Sequence, residues 1–193
     1  RAMHLLEFAD RLRYCQSAFS YRRSNRRFRQ KNPNVPLPPP FILYESFGKM
    51  DYSSYFYGGR ESAEHIIALM RRHIGLPGAR IMEWGCGPAR LLRHFPKLLA
   101  EYEPLLFGTD YNHLTIAWCR KNIPGIDFRE NRLAPPLDFP DNFLDVVYCI
   151  SVFTHLSAES QKAWLGECLR VIKPGGLFLM TVHGDACRGS LTE

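Results

Sequence analysis

Apolar positions set out the elements of this chain before any single residue is considered. Along residues 1–31, Leu5, Leu6, Phe8, Ala9, Leu12 and Tyr14 recur at helical spacing and predict a partly amphipathic helix. Residues 32–40 hold five prolines, which remove backbone donors and forbid helix, so an extended linker is expected. The aromatic-rich stretch 41–59 is expected to pack over the next domain, as a lid or a brace. Ile66, Ile67, Leu69, Met70 and Ile74 give a helix over 60–74, stopped by Gly75-Leu76-Pro77-Gly78. Short apolar runs then alternate with helical segments. Strands are predicted at 79–84, 105–109, 126–128, 144–150 and 177–182, and helices at 89–101, 112–121 and 158–171. Strands alternating with helices imply an α/β fold, a doubly wound, mostly parallel sheet with helices on both faces. Ligands of such sheets bind at the carboxyl ends of the strands.

Charge divides the chain. Of its net +6, residues 1–31 supply nine Lys/Arg against two Asp/Glu, and the remainder is close to neutral. The basicity therefore belongs to an N-terminal arm. Its run Arg22-Arg23-Ser24-Asn25-Arg26-Arg27-Phe28-Arg29 is a solvated helix face or a contact for nucleic acid, an acidic membrane or an acidic partner. The expected boundaries are an arm and linker at 1–40 and a main domain at 41–193. No run approaches the about 20 apolar residues of a membrane span. The first segment lacks the apolar core of a signal peptide, and a chain starting on Arg1 reads as cropped or processed. The six cysteines lie scattered in apolar contexts, with no zinc-like spacing. They read as reduced, buried thiols and a cytoplasmic setting.

Glu83-Trp84-Gly85-Cys86-Gly87 is the candidate ligand loop. A strand turning through glycines into a helix would offer bare backbone N–H groups and a positive helix end. A dinucleotide loop requires a third glycine where this chain has Arg90, so an NAD(P) site is disfavoured. Asp110 ends the second strand, 23 residues past Gly87, where a carboxylate can accept from both ribose hydroxyls.

These residues resemble the class I S-adenosylmethionine-dependent methyltransferases. Glu83-Trp84-Gly85-Cys86-Gly87 looks like their first motif and Asp110 like their ribose-binding acid. The segment from Leu137 to Val147 resembles the lead-in to their fourth strand, and Leu169-Arg170-Val171-Ile172-Lys173-Pro174-Gly175-Gly176 the turn before their fifth. Pro135-Pro136-Leu137 and Ser151-Val152-Phe153-Thr154-His155-Leu156 are similar to segments of a bacterial subgroup near glycan pathways. The resemblance covers roughly residues 60–184.

The resemblance implies S-adenosylmethionine as cofactor, with S-adenosylhomocysteine as product. Glu83 would orient its amino-acid end, and Gly85, Cys86 and Gly87 would pass their backbone beside it. Asp110 would bind ribose, Tyr111 flank the adenine, and Asn131 sit near the adenine edge. Ile150 and Ser151 would end the fourth strand beside the sulfonium. His155 is the candidate general base, since an imidazole can take a hydroxyl proton near neutral pH; a capping or buried histidine is the alternative. Tyr57 and Arg60 read as packing more than as closure over a ligand, His183 as a loop histidine, and Trp118 and Trp164 as packing. The expected reaction is methyl transfer to oxygen or nitrogen of a small-molecule or glycan-type acceptor. The alternative is a noncatalytic module that binds a partner or nucleic acid through the basic arm. Family members continue past the fifth strand. A fragment, or a protein partner or oligomer covering the sheet edge, is therefore expected.

Overall fold

The computed structural model describes residues 2–184, with side chains from Ala9 onward. Five strands form one parallel sheet: β1 (Arg80–Trp84), β2 (Leu105–Asp110), β3 (Asp127–Glu130), β4 (Leu144–Cys149) and β5 (Ile172–Met180). Their spatial order is β3-β2-β1-β4-β5. The chain builds outward from β1 to β3, then returns to lay β4 against the other side of β1. That reversal is the switch point at which sheets of this type bind ligands.

Alternation along the strands loads both faces. Ile81, Leu106, Val146 and Tyr148 join a core with Ala63, Ile67 and Met70 of α3 (Gly59–His73) and Ile116 and Cys119 of α5 (His113–Asn122). Met82, Trp84, Phe107 and Val147 join the opposite core with Trp164, Cys168 and Val171 of α6 (Ala158–Val171). Trp84 lies 4.6 Å from Trp164 between ring centroids, and Trp118 is also partly buried packing, as expected.

The arm is not detached. Helix α1 spans Ala2–Lys31, and Phe28 is buried with Leu43, Tyr52 and Tyr55. Pro39 is extended (φ −51°, ψ 147°), and α2 begins at Pro40 and runs to Phe47. The proline segment is tied down: Tyr52 Oη donates to the Pro38 carbonyl at 2.9 Å, and Arg93 to the Pro36 carbonyl at 2.9 Å. A π-helical turn, Ser54–Gly58, leads directly into α3.

Three expectations need correction. The helix expected over 89–101 is instead a 3-10 turn at Leu92–His94, a four-residue α4 (Phe95–Leu98) and a second 3-10 turn at Ala100–Tyr102. Ala89 has φ 55°, and Pro96 has no N–H to continue an α ladder. Strand β5 starts at Ile172, not 177. Ile172 pairs with Leu144 and Leu177 with Val146, so Lys173-Pro174-Gly175-Gly176 forms an irregularity inside the strand. Cys15 is exposed, whereas Cys86, Cys119, Cys149 and Cys168 are buried free thiols; Cys187 lies outside the described residues.

Candidate functional site

The loop after β1 closes onto the end of β2. Gly85 N–H and Cys86 N–H both donate to the Thr109 carbonyl, at 2.8 and 2.9 Å, and Gly87 N–H donates to Asp110 Oδ2 at 2.9 Å. Pro88 has no N–H, and Ala89 N–H is taken by the Cys86 carbonyl. The expected bare N–H groups and positive helix end are therefore absent from residues 85–89. A loop without free donors is ill suited to a phosphate, which strengthens the case against a dinucleotide. Arg90, at the third-glycine position, is half-buried with its guanidinium 5.4 Å from the Phe47 ring centroid. Its carbonyl abuts Gly59, where a Cβ would collide with it.

Gly85 has φ 71°, and a Cβ there would collide with Val152 Cγ2. This glycine thus admits a neighbouring side chain from the segment after β4. On the other side, Ser46 of α2 lies 3.4 Å from the Cβ position of Gly87.

Asp110 is 9% exposed. Besides Gly87, it accepts from Asn112 N–H at 2.9 Å. Burial raises its carboxyl pKa, and the N–H groups of Asn112 and Gly87 oppose that rise. Asn112 caps α5 through its Oδ1, which accepts from Leu114 and Thr115 N–H, while its Nδ2 donates to both Glu45 carboxylate oxygens at 3.2 Å. Glu45 comes from α2, 67 residues away, and the sequence reading missed it. An Asn before an apolar periodic run is an N-cap signal that could have marked Asn112.

Tyr111 is 55% exposed just beyond Asp110. Asn131 lies beside them: its N–H donates to the Asp110 carbonyl at 3.0 Å, and its Nδ2 to the Arg132 carbonyl. Its Oδ1 is buried without a partner. A carboxylate, an exposed ring and an unpaired acceptor thus meet at the ends of β2 and β3. Ribose hydroxyls, an adenine face and an adenine amine offer the matching chemistry, so these residues fit a nucleoside.

Glu83 is buried rather than presented at the surface. It accepts from Tyr148 Oη at 3.2 Å, and burial raises its carboxyl to about 8. Ile150 and Ser151 follow the last residue of β4, and Ser151 has φ 60°. Ser151 N–H donates to Thr181 Oγ1 at 2.7 Å, tying the ends of β4 and β5. His155 ends the 3-10 turn Phe153–His155 with its side chain exposed. Tyr57 bonds Asn32 and Arg60 pairs with Glu64, both in exposed surroundings, and His183 is exposed.

A methyltransferase-domain family model matches residues 82–180, just over half of the chain. The chain belongs to the methyltransferase-domain family. Among relatives, a probable S-adenosylmethionine-dependent methyltransferase of Mycolicibacterium smegmatis is 33% identical over 117 residues, covering 61% of this chain and 43% of that protein. A sterol 24-C-methyltransferase of Schizosaccharomyces pombe is 30% identical over 149 residues, covering 70% of this chain and 37% of that protein. The chain thus spans about two fifths of these relatives' length. The solved structure of an S-adenosylmethionine-dependent methyltransferase from Aquifex aeolicus shares the fold, with a TM-score of 0.52 and 20% identity, over 72% of this chain and 69% of that one. The sheet and its flanking helices are the Rossmann-like class I arrangement, and the cofactor of this methyltransferase family is S-adenosylmethionine. No helix among the described residues is long and apolar enough to cross a membrane.

Proposed function

We propose that this chain transfers a methyl group from S-adenosylmethionine to a hydroxyl or amine of a small-molecule or glycan-type acceptor. The observation that carries this reading is the nucleoside-matching set of Asp110, Tyr111 and Asn131 beside a loop with no free N–H. In it, Asp110 accepts from ribose, Tyr111 covers the adenine face and Asn131 Oδ1 accepts from the adenine amine. Gly85, Cys86 and Gly87 pass their backbone along the amino-acid part. Glu83, buried at the end of β1 just before the loop, acts through the backbone that follows it and not by direct contact. Ile150 and Ser151 border the reacting centre.

The cofactor supplies an electrophilic methyl group on a sulfonium. The chain's share of the catalysis is mostly alignment, holding the acceptor in line with that methyl. The rim after β4 carries the hydroxyls of Ser151 and Thr154 and the imidazole of His155, with Thr181 across from them. Such a rim suits a hydroxylated acceptor better than an apolar one. His155, exposed at that rim, takes the acceptor proton as general base.

Transfer of labelled methyl to a panel of hydroxylated and amine acceptors tests the reading. With an accepted substrate, His155→Ala should lower kcat about 100-fold or more while leaving S-adenosylhomocysteine affinity unchanged. Unchanged turnover would remove His155 from the mechanism, and no transfer to any polar acceptor would remove the acceptor class.

A further inference from the structure

We propose that α1 carries a binding ridge for single-stranded nucleic acid, built from Arg22, Arg26 and Arg29 on one face and Arg23, Arg27 and Lys31 on the next, with Phe19 at its head. The six cations fall within residues 22–31, which contain no acidic residue. Helical periodicity sorts them into these two adjacent arcs. The structure gives each arc a concave surface. Arg22, Arg26 and Arg29 line a cavity of about 710 Å³, and Arg23, Arg27 and Lys31 one of about 460 Å³. Both are open hollows along the helix, and neither has an acidic side chain in its lining. Among the described residues, none of the six cations forms an ion pair.

The larger cavity has fixed walls. Asn25 Nδ2 donates to the Met50 carbonyl at 2.6 Å, and Tyr52 N–H donates to Asn25 Oδ1 at 3.0 Å. Met50 N–H donates to Ser17 Oγ at 2.8 Å, and the Arg29 guanidinium lies 5.1 Å from the Tyr52 ring centroid. Asn25 therefore fixes the wall, and Tyr52 holds Arg29 against it.

The ligand class is set by the layout. One small anion could answer one arc only, whereas a chain of phosphates crossing the helix answers both. Arg22, Arg26 and Arg29 rise along the axis by steps of about 6 and 4.5 Å. Phe19, 80% exposed, stands on the outward side one turn before them. An exposed ring among arginines is a stacking platform for unpaired bases, and concave cationic grooves with such rings suit single strands. A flat lipid surface would use the clefts poorly. The ridge stands independently of methyl transfer, because none of its residues belongs to the nucleoside site.

Fluorescence anisotropy with a labelled oligouridine across a salt series tests the proposal. Log affinity should fall with log salt, with a slope of about −2 to −3 for three to four neutralised phosphates. Arg22→Gln with Arg26→Gln should make the slope shallower by about 1.4. Phe19→Ala should weaken binding about tenfold without changing the slope. Thermal melts and S-adenosylhomocysteine binding, unchanged in each variant, confirm the fold and separate this ridge from the cofactor site. No saturable binding at about 50 mM salt, an unchanged slope in the double variant, or binding to anionic vesicles but not to the oligonucleotide would overturn it.

Discussion

Gly87 N–H donates to Asp110 Oδ2 at 2.9 Å, joining the turn after β1 to the end of β2. The carboxylate thus works on two sides. One oxygen fixes the loop and the other takes Asn112 N–H, while lone pairs remain for a ligand. The shape of the loop therefore depends on this side chain.

The contact between Gly85 and Val152 predicts a strained substitution with a partial rescue. Gly85→Ala places a methyl group on Val152 Cγ2 at a φ of 71°. It should cost about 2–4 kcal/mol in denaturant unfolding. Adding Val152→Ala removes the collision but not the backbone strain, so about half of the loss should return. A coupling of zero in the full cycle, with Val152→Ala measured alone, would show that the two residues do not meet.

Glu83 and Glu167 predict opposite pH dependences. Burial raises Glu83 from its ordinary 4.5 to about 8. Between those values the folded state holds a proton that the unfolded state has released, so the slope of stability with pH is negative. This contribution is complete below the ordinary value and is lost as pH rises through about 8. Glu83→Gln should flatten the fall in chemical stability across that window. A wild-type curve with no such fall would show that Glu83 is not held protonated.

Glu167 reverses the sign. Its carboxylate, 7% exposed, accepts from Arg170 Nη2 at 2.6 Å and from Leu137 N–H at 2.7 Å. The bond from Arg170 leads the causes that hold its pKa below the ordinary value. Its stabilisation is present above the ordinary carboxylate range and is lost as pH falls through the depressed value. Glu167→Gln should cost about 1–3 kcal/mol at neutral pH, and the gap from wild type should close on acidification. A gap constant with pH would assign the loss to packing alone.

The sheet was legible because its strands are short apolar runs between turn residues; Leu105–Asp110 was predicted within one residue. Residues 89–101 were not, because Leu91, Leu92, Phe95 and Leu99 repeat like a helix face while Ala89 and Pro96 break the backbone. Asp110 was legible as the acid that ends β2, whereas Asn131 was named only through the family resemblance. That Asp110 takes the Gly87 N–H was not legible, since the bond forms only when β1 and β2 pair. Ser46 and Val152 come to the loop, and Glu45 to Asn112, from segments distant in the chain. No local pattern announces such contacts.

Calorimetric titration of S-adenosylhomocysteine into the chain and into Asp110→Ala tests the central claim most directly. The wild type should bind at micromolar ligand, and the variant should bind about 10–100-fold more weakly, since it loses charge-assisted bonds to ribose and to the loop. Absence of binding by the wild type at millimolar ligand, or equal affinity of the two proteins, would contradict the assignment of this loop and this carboxylate to the cofactor.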